Sequence, residues 1–221
     1  MDSISRWNEA QEVETDYHQE ISYGQLDWLA DRFDLSPDNL FGQKSVLEVG
    51  CGTGGLVYSI EEHVPDAGTI IGLDPILGKV SNPRLSGEPV IQGAGESLPF
   101  DDDFFDVAAN INVLDHTVQP STVLAEIARV LKPGGTFLFK INTYSLPEYI
   151  RNRIQYIDRP HPHHFSPSEI RDMLLNQGFH IEHESIESRK LFTRNVSDWS
   201  IKWIASTLFF RFQTMYIRCG L

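Results

Sequence analysis

The chain has 221 residues, 41% of them apolar, which is enough for one core and one domain. Acidic residues outnumber basic ones by 31 to 18, a formal net charge of −13. That balance disfavours DNA or RNA as a partner, because nucleic-acid affinity comes largely from Lys and Arg on phosphates, and it leaves a small molecule as the expected substrate. Two cysteines, Cys51 and Cys219, make no disulfide framework. The polar start (Met1 to Glu20) lacks an apolar leader, and the most apolar late stretch, Trp199 to Phe210, is too short to span a bilayer and contains Lys202. A cytoplasmic protein without stable membrane insertion is expected. The oligomeric state is not legible.

In chain order, Asp16 to Arg32 has imperfect helical spacing and reads, within residues 1–44, as a helical cap. Ser45–Val49 reads as a strand, Gly54–His63 as a helix, Thr69–Leu73 as a strand and Pro89–Gln92 as a short one. Phe104–Ile111 is a strand. Pro120–Leu131 is a helix with Leu124, Ile127, Ala128 and Leu131 on one face. Lys132-Pro133-Gly134-Gly135 stops it, and Thr136–Ile141 is the next strand. Beyond this 45–141 core, residues 142–221 read as a substrate-side connection and the edge of the sheet. Within them Thr143–Arg159 is irregular, Ser166–Asn176 helical, Phe179–Glu184 a strand, Val196–Phe209 helical and Gln213–Arg218 a final strand. Apolar strands alternating with helices predict a three-layer Rossmann-like α/β sandwich: a mostly parallel, seven-stranded sheet covered on both faces. Its ligand crevice lies at the carboxyl ends of the strands.

The segment Val46-Leu47-Glu48-Val49-Gly50-Cys51-Gly52-Thr53-Gly54-Gly55 ends the first strand in a glycine loop. Gly50, Gly52 and Gly54 give one spacing, while Gly50, Gly52 and Gly55 give the dinucleotide spacing, so glycines alone fit two cofactors. Charge separates them. A dinucleotide puts a pyrophosphate at this turn, which Glu48 would oppose. S-adenosylmethionine carries a sulfonium and an ammonium, which Glu48 would favour. Asp74, ending the next strand before Pro75, is placed to accept hydrogen bonds from ribose hydroxyls of either cofactor. It also suits an Asx-type turn.

The stretches VLEVGCGTGG, GLDP, GAGESLPFDDDFFDVAANINVLDH and LAEIARVLKPGGTFLF together resemble the class I methyltransferases, in particular the small-molecule group that includes quinone-biosynthesis C-methyltransferases. The resemblance runs from about Val46 to Ile141. It implies S-adenosylmethionine as cofactor, with S-adenosylhomocysteine as product, held by Gly50, Gly52 and Gly54 and by Asp74 and Pro75. It also implies an acid on the adenine amino group in the loop after the third strand. Ala94 stands there instead. Glu96 then takes the task, or backbone groups of Ala94 and Gly95 do. Asn110 falls beside the cofactor. A non-catalytic relative and, less well, a nicotinamide-dependent oxidoreductase share this pattern.

Methyl transfer needs alignment above all, with a general base when the acceptor is a hydroxyl or an acidic carbon. The acceptor atom (O, N or C) is not legible. Asp115 and His116, just after the fourth strand, are the candidate catalytic pair, with His116 as base and a turn-capping or packing role as the alternative. The run His161-Pro162-His163-His164-Phe165 suggests a metal, but Pro162 interrupts it and no Cys or acid has ligand spacing nearby, so no metal is expected and a pocket-lining role is preferred. Arg151, Arg153 and Arg159 fit either an anionic substrate or a solvated face. The N-terminal helix and the 143–159 connection are expected to close over the crevice. Trp199–Phe210 is read as an amphipathic helix on the sheet, less readily as a contact for a lipid-like substrate.

Overall fold

Val46–Val49 (β1) is buried at all four positions, as a strand covered on both faces must be. The computed structural model describes residues 26–78, 89–154, 161–188 and 212–221. Around β1 it builds a seven-stranded sheet from Ile70–Asp74 (β2), Val90–Gln92 (β3), Phe105–Ile111 (β4), Leu131–Tyr144 (β5), His180–Ser188 (β6) and Phe212–Gly220 (β7), in the order β3-β2-β1-β4-β5-β7-β6. The pairs from β3 through β5 are parallel, and β7 is antiparallel to both β5 and β6. This is the α/β architecture that the alternation of strands and helices predicts. The chain winds outward from β1 to β3, then returns to β4 on the other side of β1. The carboxyl ends of β1 and β4 are therefore the switch point where such sheets bind ligands.

Residues of alternate parity line opposite faces of the sheet. Leu47, Val49, Phe105, Phe137, Phe139, Ile141, Met215 and Ile217 share one core with Pro120–Val130 (α4) and Pro167–Asn176 (α6). Val46, Val107, Ala109, Leu138 and Tyr216 share the other with Leu26–Arg32 (α1), Pro37–Phe41 (α2) and Gly55–His63 (α3). Two helices start at a serine cap. Ser36 caps α2 ahead of Pro37, and Ser166 forms a capping box with Glu169 ahead of Pro167.

Several expectations shift. Of the expected cap helix only Leu26–Arg32 falls in the described residues, and it lies in the core layer: Leu26, Leu29, Ala30 and the following Phe33 are buried on the sheet. The strand expected at Thr136–Ile141 is longer, because β7 pairs with it as far as Tyr144. The expected irregular connection contains a helix, Glu148–Ile154 (α5). Lys132-Pro133-Gly134-Gly135 does end α4, and it also forms a bulge: Phe105 pairs with Leu131 and Val107 with Thr136, so the four residues loop out opposite Asp106. The helix expected at Val196–Phe209, together with Trp199–Phe210, Tyr156 and Arg159, lies outside the described residues.

Candidate functional site

Gly50, Gly52 and Gly54 have φ of 81°, 54° and 82°, the left-handed region that glycine enters without a Cβ penalty. A Cβ on Gly50 would stand 2.3 Å from Val113 Cγ1, and one on Gly54 would stand 2.8 Å from the Tyr58 ring. The loop is tied to β2. The N–H groups of Gly50 and Cys51 donate to the Leu73 carbonyl at 2.7 and 3.2 Å, and the Gly52 N–H donates to Asp74 Oδ2 at 2.8 Å. Asp74 Oδ1 accepts from the Ile76 N–H at 2.9 Å, closing an Asx turn over Pro75. The turn reading of Asp74 is thus observed, and the same carboxylate also anchors the glycine loop. Burial pushes the neighbouring Cys51 thiol up, which removes it as a nucleophile at neutral pH.

Glu48 shares the α3 face with Val46 and is buried. Burial, with the charge of Asp74 second, pushes its carboxyl up to about 8, and one N–H from Val57 pulls the other way. Its Oε2 has no hydrogen-bond partner. This environment favours the neutral form of the side chain over the carboxylate. A cation at the loop would favour its ionised form.

The loop after β3 is braced from the opposite side. Glu96 Oε1 accepts from the N–H groups of Val118 and Gln119, at 2.8 and 3.2 Å, at the start of α4. That oxygen is committed to the helix terminus. Gly95 is packed so tightly that a Cβ would meet Val49 Cγ1 at 2.9 Å, and Ala94 beside it is half-buried. Asn110 is wholly buried at the switch point. Its Nδ2 donates to the Val49 carbonyl at 3.0 Å, bracing β4 against the start of the glycine loop, and its Oδ1 has no partner.

Beyond β4 a 3₁₀ turn, Leu114–His116, buries both Asp115 and His116. The histidine segment, 45 residues downstream of His116, docks on this turn. The His163 N–H donates to the Asp115 carbonyl at 3.2 Å, and His163 Nε2 lies 3.0 Å from the Thr117 carbonyl. The ring centroids of His116 and His161 are 4.5 Å apart. The two histidine groups of the sequence are therefore one structural site, and His161 is the member that sequence spacing misses.

Arg151 is neither a substrate clamp nor a solvated residue. It is 5% exposed, and its guanidinium donates to the carbonyls of Leu146 (3.0 Å) and His164 (2.7 Å) and to both carboxylate oxygens of Glu169. It locks α5, α6 and the histidine segment together. Glu169, although partly desolvated, is held below the usual carboxylate range by Arg151 and Ser166. Arg153 is exposed. A cleft of about 430 Å³ lies on the outer side of this lock, between α5 and α6, and neither Asp115 nor His116 lines it.

Residues 47–139 match the family described as Methyltransferase domain, a stretch that contains the glycine loop, Asp74, Ala94–Glu96, Asn110 and Asp115-His116. The phthiotriol/phenolphthiotriol dimycocerosates methyltransferase of Mycobacterium tuberculosis is 39% identical over 99 residues, which are 43% of this chain and 37% of that protein. The demethylmenaquinone methyltransferase of Lactococcus lactis is 38% identical over 98 residues, 41% of this chain and 39% of that protein. The match thus spans about two fifths of these relatives' length. A solved S-adenosylmethionine-dependent methyltransferase from Mesorhizobium loti superposes with a TM-score of 0.59 at 19% identity, covering 82% of this chain and 93% of that one, a likeness of fold. Through residues 47–139 the chain is similar to methyltransferase domains. That similarity, rather than the glycine spacing, bears on the choice between the two cofactor classes.

Proposed function

We propose that this protein transfers a methyl group from S-adenosylmethionine to a small-molecule acceptor. The observation that carries the reading is the cradle at the switch point: three left-handed glycines held open by Asp74, with a buried carboxyl, Glu48, whose Oε2 has no partner. These residues fit the cofactor. Gly50, Gly52 and Gly54 admit its amino-acid part at backbone distance, Asp74 offers its remaining lone pairs to the ribose, and Glu48 answers its positive charge. Ala94 and Gly95 line the base side through backbone groups, since Glu96 serves α4. When bound, the cofactor supplies a methyl group already activated on a sulfonium. The chain's own task is then to align the acceptor and, for a hydroxyl or acidic carbon, to accept its proton at His116. The names of the matched relatives, a phthiotriol/phenolphthiotriol dimycocerosates methyltransferase and a demethylmenaquinone methyltransferase, support a small-molecule acceptor.

Calorimetry with S-adenosylhomocysteine tests the reading. Wild type is expected to bind, and Asp74→Ala is expected to lose about 10–100-fold in affinity, since one or two charge-assisted hydrogen bonds are removed. Unchanged affinity would dismiss this cofactor geometry. For the base, His116→Ala is expected to lower the transfer rate about 100-fold or more at unchanged cofactor affinity. Full activity would leave alignment alone as the mechanism.

A further inference from the structure

The neighbours Asp115 and His116 lie far in the chain from His161 and meet it where the 161–165 segment docks on the 3₁₀ turn. Their side-chain donor atoms all lie within 4.8 Å of one another. Asp115 is 4% exposed, and its Oδ1 makes no hydrogen bond. His116 Nε2 stands 4.0 Å from it, too far to donate one. A carboxylate oxygen in that position is costly unless something positive sits beside it.

The donors are one carboxylate and two imidazoles. That set suits first-row divalent ions, and zinc in particular is held by three protein donors with a further position left open. Ligands at about 2.0–2.2 Å from one ion lie about 3–3.5 Å from each other, so the three groups need to close by about 1–1.5 Å. Side-chain torsions supply that movement without shifting the backbone. The backbone is already fixed by the His163 N–H bond to the Asp115 carbonyl, by His163 on Thr117, and by Arg151 on the His164 carbonyl.

We propose that Asp115, His116 and His161 form a binding site for a divalent transition-metal ion of the zinc type. The site stands whether or not the chain transfers methyl groups. An ion there uses the lone pair of His116, so metal and proton exclude each other, and the base role of His116 belongs to the metal-free chain. Affinity must fall as pH drops and the imidazoles protonate.

The test is titration of the full chain, stripped with chelator, with Co²⁺ and then with Zn²⁺, followed by the visible absorption of bound cobalt and by calorimetry. About one equivalent is expected to bind, with Zn²⁺ displacing Co²⁺. Asp115→Asn, His116→Gln and His161→Gln are each expected to weaken binding about tenfold or more. His180→Gln, an exposed histidine outside the cluster, should leave it unchanged. Binding of S-adenosylhomocysteine and the melting temperature report whether each variant is folded. If Asp115→Asn does not fold, His161→Gln decides, because that side chain is only half-buried. No saturable cobalt binding by wild type, or wild-type affinity in His161→Gln, overturns the site.

Discussion

The glycine loop and the Asp115–His161 cluster are built in opposite ways. The glycine loop comes from ten consecutive residues, Val46 to Gly55, braced by Leu73 and Asp74 of β2 and by Asn110 of β4. The Asp115–His161 cluster comes from two segments separated by α4, β5 and α5, joined by backbone hydrogen bonds and by the buried Arg151. The first is a local conformational device: its shape follows from left-handed backbone that only glycine enters cheaply. The second is a product of packing, and it exists only when α5, α6 and the loop between them are docked.

The largest break in this contrast is expected from Gly50→Val. A β-branched residue at φ 81° costs about 1–2 kcal/mol in backbone strain, and its overlap with Val113 adds about 1–3 kcal/mol. Denaturant unfolding should register the sum, and calorimetry should register lost binding of S-adenosylhomocysteine. Wild-type stability would mean that the loop is not locally determined.

Next comes Arg151→Met, which attacks the packed cluster alone. Removing one partner of a fully buried pair costs about 3–5 kcal/mol, but the Glu169 side chain is 41% exposed, so about 2–3 kcal/mol is expected. Cofactor affinity should survive this variant while hydrogen exchange in the 161–165 segment accelerates. Loss of cofactor binding would show that the loop and the cluster are coupled after all.

The smallest effect is expected from Glu48→Gln. The carboxyl rises from its ordinary 4.5 to about 8 in the fold, so the folded state prefers the protonated form. Its contribution to stability is complete below about pH 4.5 and is lost as pH rises through about 8. Thermal melts of the free protein should therefore decline across this window in wild type and decline less in the variant. Affinity for S-adenosylmethionine, which favours the ionised form, should rise with pH in wild type and stay flatter in Glu48→Gln. Parallel profiles for the two proteins would remove Glu48 from both effects.

The first strands were readable because short apolar runs stop at Gly50, at Asp74-Pro75 and at Gly93, and the structure keeps these runs with small shifts at their ends. The extension of β5 was not readable. Asn142 and Thr143 are polar, and they join the strand because β7 pairs beside them; Asn142 then bonds Asn112 and Thr214. Helix α5 was missed for a similar reason: its chief buried anchor is Arg151, a residue that hydrophobic periodicity counts as surface. Ser36 and Pro37 did carry a start signal for α2, in a segment whose apolar spacing is weak. The task of Glu96 at α4 depends on a partner 22 residues away and left no local trace.

By itself the amino-acid sequence determined the wound sheet and the glycine cradle, because these depend on strand periodicity and on glycine's freedom at positive φ, both properties of short segments. The charge state of Glu48, the structural employment of Glu96 and Arg151, and the meeting of Asp115 and His116 with His161 were decided only in the tertiary structure. Burial, hydrogen-bond partners and donor distances belong to pairs of segments, and no single stretch of chain contains them.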